Sequence, residues 1–333
     1  NAEAIRTRLD SLALLAPGAI VVQDAPLQVP PGAPVLEALP EVPPAALPKR
    51  RFTRDWWVHS FSGLAREAGG AEVRRANDES EPLLPSSRFS GARFGNVLHE
   101  SLETVDFALW RDWPGDAPPP GEAAALERAL RNGGYGSAND LAEGVPLLAS
   151  LVGHTLNVVL PEGVRLADVP PAQRRPEMEF HFSLAPARVD AVLAQLHAHG
   201  LVVERQAFGT RERLEGLMTG FIDLVYEHDG RYYLLDYKSN QLPDYGDDAL
   251  ADAIAHSEYD LQYMLYTVAL HRWLRFRLPG YDYGRHFGGV RYLFCRGLQP
   301  GRADSPGVFA SVPPRALVES LDALLRLPAG APA

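Results

Sequence analysis

An Asp-Gly turn between two apolar stretches restricts the fold of this chain more than any other feature of its sequence. Asp229-Gly230 separates residues 218–226 from residues 231–238, and both segments are rich in residue types that favour strands. Asp-Gly predicts a two-residue hairpin loop, because both loop residues tolerate a positive φ. Counting outward from this loop places Asp223 directly opposite Asp236.

This pairing would bring three charged side chains together. Opposed side chains on adjacent strands lie ~4.5–5.5 Å apart, a distance at which like charges repel. Lys238 shares the face of Asp236, because strand side chains alternate with a period of two. Two carboxylates and one ammonium group on one face fit a divalent cation, so the hairpin predicts a metal centre.

The alternative is an exposed hairpin with its charges in water. Leu224, Leu234 and Leu235 argue against it, since they place apolar side chains on both faces and indicate a covered strand. A buried pair of carboxylates needs a metal ion, a shared proton or a cationic partner. The hairpin alone leaves these options open, and the rest of the chain favours the metal.

The composition is that of a globular protein, and it excludes several kinds of site. Hydrophobic residues make up 46% of the 333 residues, and no apolar run is long enough to predict a membrane-spanning helix. The single cysteine, Cys295, excludes a disulfide framework and a thiolate-bound cluster, and it fits a reducing, cytoplasmic setting. No Gly-Lys pair occurs, so the sequence contains no Walker A loop.

The net charge of −10 has the wrong sign for a protein whose whole surface binds DNA. A local basic groove remains compatible with it, although each arginine in such a groove could equally be a solvated surface residue. Lysine occurs only as Lys49 and Lys238, which indicates that position 238 needs a compact ammonium group. The groove candidates are Arg174, Arg175, Arg205, Arg211, Arg213, Arg272, Arg275 and Arg277.

Helical periodicity predicts a helix over residues 88–107, and three residues of interest are aligned along one side of it. Gly95, His99 and Glu103 follow one another at intervals of four and lie along one side of this helix. The glycine leaves room for another backbone or a ligand to approach. A helical histidine is most often packed or solvated, so His99 becomes a candidate ligand only if the hairpin lies beside it.

Residues 177–183 alternate between apolar and polar types and predict a strand with an acidic face. One face carries a methionine and two phenylalanines, and the other carries Glu177, Glu179 and His181. Such a face is most often solvated. The alternative is that one of the glutamates supplies a further metal ligand.

The remaining periodic segments complete a mixed α/β sheet with helices packed on it. In the longest helix, Gln262 and Tyr266 lie one turn apart, and their pattern fits core packing and DNA contact equally well. The predicted segments are helices over 188–199, 249–277 and 315–326 and a strand over 289–295.

The ordered series of these motifs resembles the RecB-type nucleases of the PD-(D/E)xK superfamily. The likeness runs from about Trp56 to the C-terminus and is strongest over residues 216–297. Where the superfamily name has a proline this chain has Ile222, and the cysteines of iron–sulfur relatives are absent. The motifs are Gly95-x-x-x-His99, Glu177-x-x-Phe180, Gly220-x-x-Asp223, Asp236-Tyr237-Lys238 and Gln262-x-x-x-Tyr266.

The resemblance implies a restriction-endonuclease-like fold and Mg²⁺-dependent hydrolysis of DNA, as in exodeoxyribonuclease V. Mn²⁺ and Ca²⁺ are alternative occupants, since a nitrogen ligand is unusual for Mg²⁺. Lys238 would orient or deprotonate the attacking water. The metal ligands would be His99, Asp223, Asp236 and the carbonyl of Tyr237.

Further site residues follow from the same resemblance. Glu177 matches the family glutamate by its spacing to Phe180, with Glu179 as the alternative. Gln262, Tyr266 and Arg272 are candidates for DNA contact.

The resemblance also implies an organisation and a set of partners. Residues 1–25, helical over 2–15, would be the tail of an upstream helicase domain. Residues 26–50 contain eight prolines and would form an extended linker, and residues 51–333 would form the nuclease domain. The implied partners are a single DNA strand, the RecC and RecD subunits and the recombinase RecA, in break repair and recombination, with no membrane involved.

Two other functions remain open. The first is a non-catalytic module that binds DNA or partner subunits, and the complete set of two aspartates and one lysine argues against it. The second is a stand-alone restriction-type endonuclease, and the proline-rich segment argues against that.

Overall fold

A computed structural model gives the structure of residues 2–24, 57–66, 88–115, 117–302 and 304–326. The chain divides into two compact units, Asn1–Phe52 and Thr53–Ala333. In the first unit, α1 spans Ala2–Leu15, as the helical spacing predicts. The predicted linker over residues 26–50 lies outside the described residues. No helix among the described residues is long and apolar enough to span a membrane.

A mixed sheet forms the centre of the second unit. Its strands are β1 (Trp57–His59), β2 (Arg174–Arg188), β3 (Arg213–His228), β4 (Arg231–Lys238), β5 (Phe287–Phe294) and β6 (Val308–Ser311). β3 is antiparallel to β2 and β4 and parallel to β1. β5 is parallel to β4 and antiparallel to β6. This arrangement confirms the predicted α/β class.

Helices pack on both faces of this sheet. They are α2 (Phe61–Arg66), α3 (Gly91–Thr104), α4 (Ala123–Asn132), α5 (Ala138–Asn157), α6 (Val189–His197), α7 (Asp247–His256), α8 (Tyr259–Arg277), α9 (Tyr283–His286) and α10 (Arg315–Leu324). One core lies between the sheet and α6, α8 and α10, and another lies between the sheet and α3, α4 and α5. Leu234 packs into the first core and Leu235 into the second, so β4 is covered on both faces, as its leucines predict.

The Asp-Gly hairpin has the predicted register. Asp229 and Gly230 adopt φ values of 50° and 74°, which matches the mirror-image turn that suits the twist of paired strands. The ladder continues from this turn up to the pair of Leu224 with Leu235 and ends there. The two aspartates therefore lie just beyond the last pair, where β3 and β4 begin to separate.

The structure corrects the single helix predicted over residues 249–277. α7 ends at His256 and α8 begins at Tyr259, with Glu258 between them in the left-handed region at φ 53°. A left-handed residue interrupts the helical hydrogen bonds and redirects the chain. The edge strands β1 and β6 are absent from the sequence prediction, because three or four residues carry too little alternation to be recognised.

Candidate metal centre

An irregularity in the pairing of β2 with β3 positions two carboxylates. The ladder is regular on either side but passes over Glu177 and Asp223, which face each other. Glu177 has φ 45°, and on β3 the side chains of Ile222 and Leu224 pack into opposite cores although they are two residues apart. Such irregularities re-aim side chains and are common beside active sites.

α3 brings His99 to these carboxylates. The helix buries Phe94 and Leu98 against the second core, which leaves His99 at the edge of its packed face. A Cβ atom at Gly95 would lie 3.1 Å from the Ser239 hydroxyl, so the glycine allows α3 to approach the end of β4. His99 Nδ1 lies 3.3 Å from Asp223 Oδ2.

His99, Glu177 and Asp223 form a group that could hold a metal ion. Each offers one ligand atom, and these three atoms lie within 4.8 Å of one another. The backbone N–H of Tyr237 donates to Asp223 Oδ2 at 2.8 Å and fixes the orientation of that carboxylate. Two carboxylate oxygens and an imidazole nitrogen are an ordinary donor set for a divalent cation.

Asp236 and Lys238 lie beside this group and form an ion pair. Lys238 Nζ is 2.5 Å from Asp236 Oδ1, and Asp236 is only 2% exposed. Asp236 therefore enters the site as one half of a buried ion pair.

Burial and repulsion raise the pKa values of two of these carboxyl groups. Burial, aided by Asp223 and Glu103, raises the pKa of Glu177 to about 7. Burial and Asp223 raise the pKa of Asp236 to about 6. Burial would also raise the pKa of Asp223, but His99 and Lys238 hold it below its usual value. A bound cation would stabilise all three carboxylates in their ionised forms.

The pKa values of the two basic side chains, His99 and Lys238, are also raised, because the nearby carboxylates outweigh the effect of burial. Burial alone would lower the pKa of His99, but Asp223 and Asp236 raise it to about 9. Burial would likewise lower the pKa of Lys238, and Asp236 raises it above its ordinary value. Both groups are cations at neutral pH in this arrangement. A divalent ion bound by His99 would therefore displace a proton from the imidazole.

His99, Glu177, Asp223 and Lys238 line an open cavity of about 570 Å³, whereas Asp236 is buried and is not part of its lining. The cavity extends from the end of β4 to α3 and the start of α8. Further polar lining is contributed by Asn96, Glu100, Glu103, Ser239, Asn240 and Gln262.

The structure separates the two candidate glutamates. Glu177 lines the cavity, whereas Glu179 pairs with Phe221 along the ladder and with His181 Nε2 at 3.1 Å. The predicted shared face of the two glutamates fails because the positive φ at Glu177 breaks the alternation of β2. Tyr237 also lines the cavity, as its predicted ligand role requires.

Gln262 and Tyr266 lie behind Lys238 and are buried, at 8% and 7% exposure. Gln262 Oε1 accepts from Lys238 Nζ at 3.1 Å, and Gln262 Nε2 donates to the Tyr266 hydroxyl at 3.3 Å. Their contacts hold the lysine from the protein side. Gln262 also lines the cavity, and contact of this pair with DNA stays a prediction.

The structure does not bring Arg272 to the cavity. Its guanidinium contacts Asp322 at 2.5 Å and donates to the Ser183 carbonyl at 3.2 Å. The side chain thereby ties α8 to α10 and β2. The proposed DNA contact is not supported by this placement, because the donors of Arg272 are engaged within the protein.

Sequence reasoning missed Tyr259, whose ring centroid lies 3.9 Å from Lys238 Nζ. Its spacing of three residues from Gln262 is the available signal, since it places both on one side of a helix. That signal is weak here because α8 is buried almost all round, so helical spacing does not single out one face.

The mixed sheet and this cluster of carboxylates, histidine and lysine point to a nuclease fold. The profile of the PD-(D/E)XK nuclease superfamily matches residues 64–304, and the chain belongs to that superfamily. The matched span includes His99, Glu177, Asp223 and Lys238.

Relatives of this chain in several bacteria are the RecB subunit of the RecBCD enzyme. The chain is 34% identical to the RecBCD enzyme subunit RecB of Escherichia coli, over 80% of this chain and 23% of that protein. RecB of Haemophilus influenzae is 44% identical over 48% of this chain and 13% of its own length. RecB of Mycolicibacterium smegmatis is 30% identical over 88% of this chain and 32% of its own length. These similarities confirm the resemblance to RecB-type nucleases, and the chain spans a third or less of each of these relatives.

Proposed function

We propose that this chain is a magnesium-dependent deoxyribonuclease domain that hydrolyses phosphodiester bonds in DNA strands. The observation that supports this proposal best is the convergence of His99, Glu177, Asp223 and Lys238 on one cavity, with Asp236 paired to Lys238. Three separate elements, α3, β2 and the hairpin, supply these side chains. His99 and Lys238 balance part of the carboxylate charge. A divalent cation, which hydrolysis of a phosphodiester uses, would stabilise all three carboxylates.

Asp223, Asp236 and His99 would hold the metal ion, with the Tyr237 carbonyl and Glu177 as further oxygen donors. When bound, Mg²⁺ supplies positive charge that polarises the phosphate and favours ionisation of a nearby water. Mn²⁺ and Ca²⁺ are compatible with the same donors. The ligand atoms of His99, Glu177 and Asp223, which lie within 4.8 Å of one another, support three of these donors. Asp236 is proposed from its place beside them, where it pairs with Lys238.

Lys238 would orient the attacking water and stabilise negative charge at the phosphate. Its ammonium is held from one side by Asp236 and from another by Gln262. Because Asp236 raises the pKa of Lys238, the side chain acts from its protonated form in this arrangement. A fixed ammonium beside the reacting phosphate stabilises the charge that develops in the transition state.

The relatives suggest a larger setting for this activity. As the nuclease part of a RecBCD-type helicase–nuclease, the chain would cleave single strands delivered by the helicase, in exodeoxyribonuclease V fashion. RecC and RecD would be its partner subunits, and RecA a further partner, in cytoplasmic break repair and recombination. The support for this setting is the RecBCD name shared by the relatives and the length by which they exceed this chain.

Cleavage of an end-labelled single-stranded oligonucleotide tests the proposal. The purified chain should cleave the strand with Mg²⁺ or Mn²⁺ and lose all activity in EDTA. Restoring the metal should restore cleavage. Products formed equally well in EDTA would contradict a metal-dependent mechanism, and no cleavage under any metal would support the non-catalytic alternative.

A further inference from the structure

The break between α7 and α8 is held by buried polar contacts. Arg205 donates to both carboxylate oxygens of Glu258, at 2.8 and 2.7 Å, and its side chain is only 1% exposed. The backbone N–H of Val202 donates to Asp260 Oδ2 at 2.6 Å. These contacts fix Glu258 in its left-handed conformation and set where α8 begins.

The break at Glu258 places Tyr259, the first residue of α8, over Lys238. The Tyr259 ring centroid lies 3.9 Å from Lys238 Nζ, and the Tyr292 ring centroid lies 5.1 Å from it. Tyr259 is 6% exposed and the Lys238 side chain 12%, so the contact is largely shielded from water. Together with Asp236 and Gln262, the rings enclose the ammonium group.

We infer that Tyr259 is a positioning residue that holds the Lys238 ammonium in its working place, an inference that rests on the proposed nuclease function. Lysine has a flexible four-carbon stem, so an ion pair and one hydrogen bond leave its head free to tilt. The negative face of an aromatic ring supplies a third fixed contact, and shielding from water strengthens the attraction. The ring itself carries this role, since the Tyr259 hydroxyl points away to Asn240 at 3.4 Å.

Substitutions at Tyr259 separate the ring from the hydroxyl. Tyr259→Phe keeps the ring face and should retain most of kcat. Tyr259→Leu keeps apolar bulk but removes the ring, and should lower kcat at least about 10-fold with little change in KM. Tyr283→Leu is the matched control: Tyr283 is a similarly buried tyrosine of α9, and its ring packs against His271 and Phe287, away from Lys238.

The scarcity of lysine provides a readout that does not depend on activity. The chain contains two lysines, Lys49 and Lys238, so protein labelled with ¹³C-lysine gives two side-chain sets, and Lys49→Arg assigns them. The Lys238 methylene protons should be shifted upfield by the ring, remain so in Tyr259→Phe, and return towards the ordinary position in Tyr259→Leu.

The chemical shift and the turnover number together distinguish failure of the ring contact from failure of the proposed function. An ordinary Lys238 shift in the wild-type protein, or equal kcat values for Tyr259→Leu and the wild type, would overturn the inference. The same kcat loss in Tyr283→Leu as in Tyr259→Leu would also overturn it, since core packing would then explain both. An upfield Lys238 signal in a protein without any metal-dependent cleavage would uphold the ring contact and contradict the proposed function instead.

Discussion

His99 offers an imidazole nitrogen to a group in which Glu177 and Asp223 offer oxygens. Replacing it with alanine should leave a carboxylate site of lower affinity, because one ligand is lost while the acidic donors remain. We expect His99→Ala to raise the Mn²⁺ concentration needed for half-maximal cleavage by about 10-fold or more. Substitutions of groups around a metal site commonly lower metal affinity by at least about this factor. Excess metal should restore part of the rate.

A titration of cleavage rate against Mn²⁺ measures this effect. His181→Ala is the control, since His181 is an exposed histidine of β2 that pairs with Glu179. An unchanged metal requirement in His99→Ala would show that His99 is a packing residue.

At the scale of residues, the sequence predicts those parts of the candidate site that depend on local geometry. Asp236 and Lys238 follow from strand alternation, and the position of Asp223 follows from the turn. The choice of Glu177 over Glu179 does not follow, because it depends on a positive φ that a glutamate rarely adopts. The approach of His99 is a contact between distant segments, and only the family resemblance predicts it.

At the scale of elements, Asp322 joins α10 to α8. Its carboxylate is 1% exposed and contacts Arg272, Arg275 and Arg326 at 2.5, 2.8 and 3.0 Å. Asp322→Asn would remove the anion and leave the arginines uncompensated. We expect a loss of about 2–3 kcal/mol in the free energy of unfolding at pH 7, below the usual range for a buried pair because two arginines reach solvent.

The effect should depend on pH in a defined direction. Burial would raise the pKa of Asp322, but its arginine partners hold it below the usual value in the folded state. The stabilisation is therefore complete above the unfolded pKa of about 3.9 and is lost as pH falls through the lower folded value. Urea denaturation should show a constant difference between wild type and Asp322→Asn from pH 5 to 8, and a smaller one below pH 4.

Asp304→Asn serves as the control, since Asp304 is an exposed partner of Arg302 and should contribute little. A difference between wild type and Asp322→Asn that grows on acidification would contradict the assigned direction.

The sequence predicts well those elements that depend only on a local pattern of residues. The hairpin, α3, α6 and α10 carry a clear turn or apolar period, and their predicted positions agree with the structure to within a few residues. The break at Glu258 is different, because Arg205 imposes it from 53 residues away. Helical periodicity continues across residues 249–277, so the pattern alone predicts one helix.

At the scale of the whole molecule, the net charge of −10 coexists with 30 arginines among 32 basic residues. Several candidates for a basic DNA groove form ion pairs within the protein instead: Glu258 engages Arg205, and Asp322 engages Arg272 and Arg275. Composition cannot distinguish such arginines from surface ones, because the distinction depends on tertiary pairing. The metal ion would therefore supply much of the positive charge at the acidic cavity.

We propose that Asp223 and Asp236 form a catalytic metal centre. Three aspartates of one hairpin test it when each is changed to asparagine: Asp223, Asp236 and, as control, Asp229, which is 89% exposed in the turn. Asparagine tolerates the positive φ of position 229, so that variant should fold normally.

Mg²⁺-dependent cleavage of a labelled single strand, measured on variants with native circular dichroism, is the most direct measurement. We predict wild-type turnover for Asp229→Asn and a loss of at least about 10²-fold for Asp223→Asn and Asp236→Asn, the scale expected when transition-state charge stabilisation is removed. Wild-type turnover by a folded Asp223→Asn or Asp236→Asn protein would contradict the proposed centre.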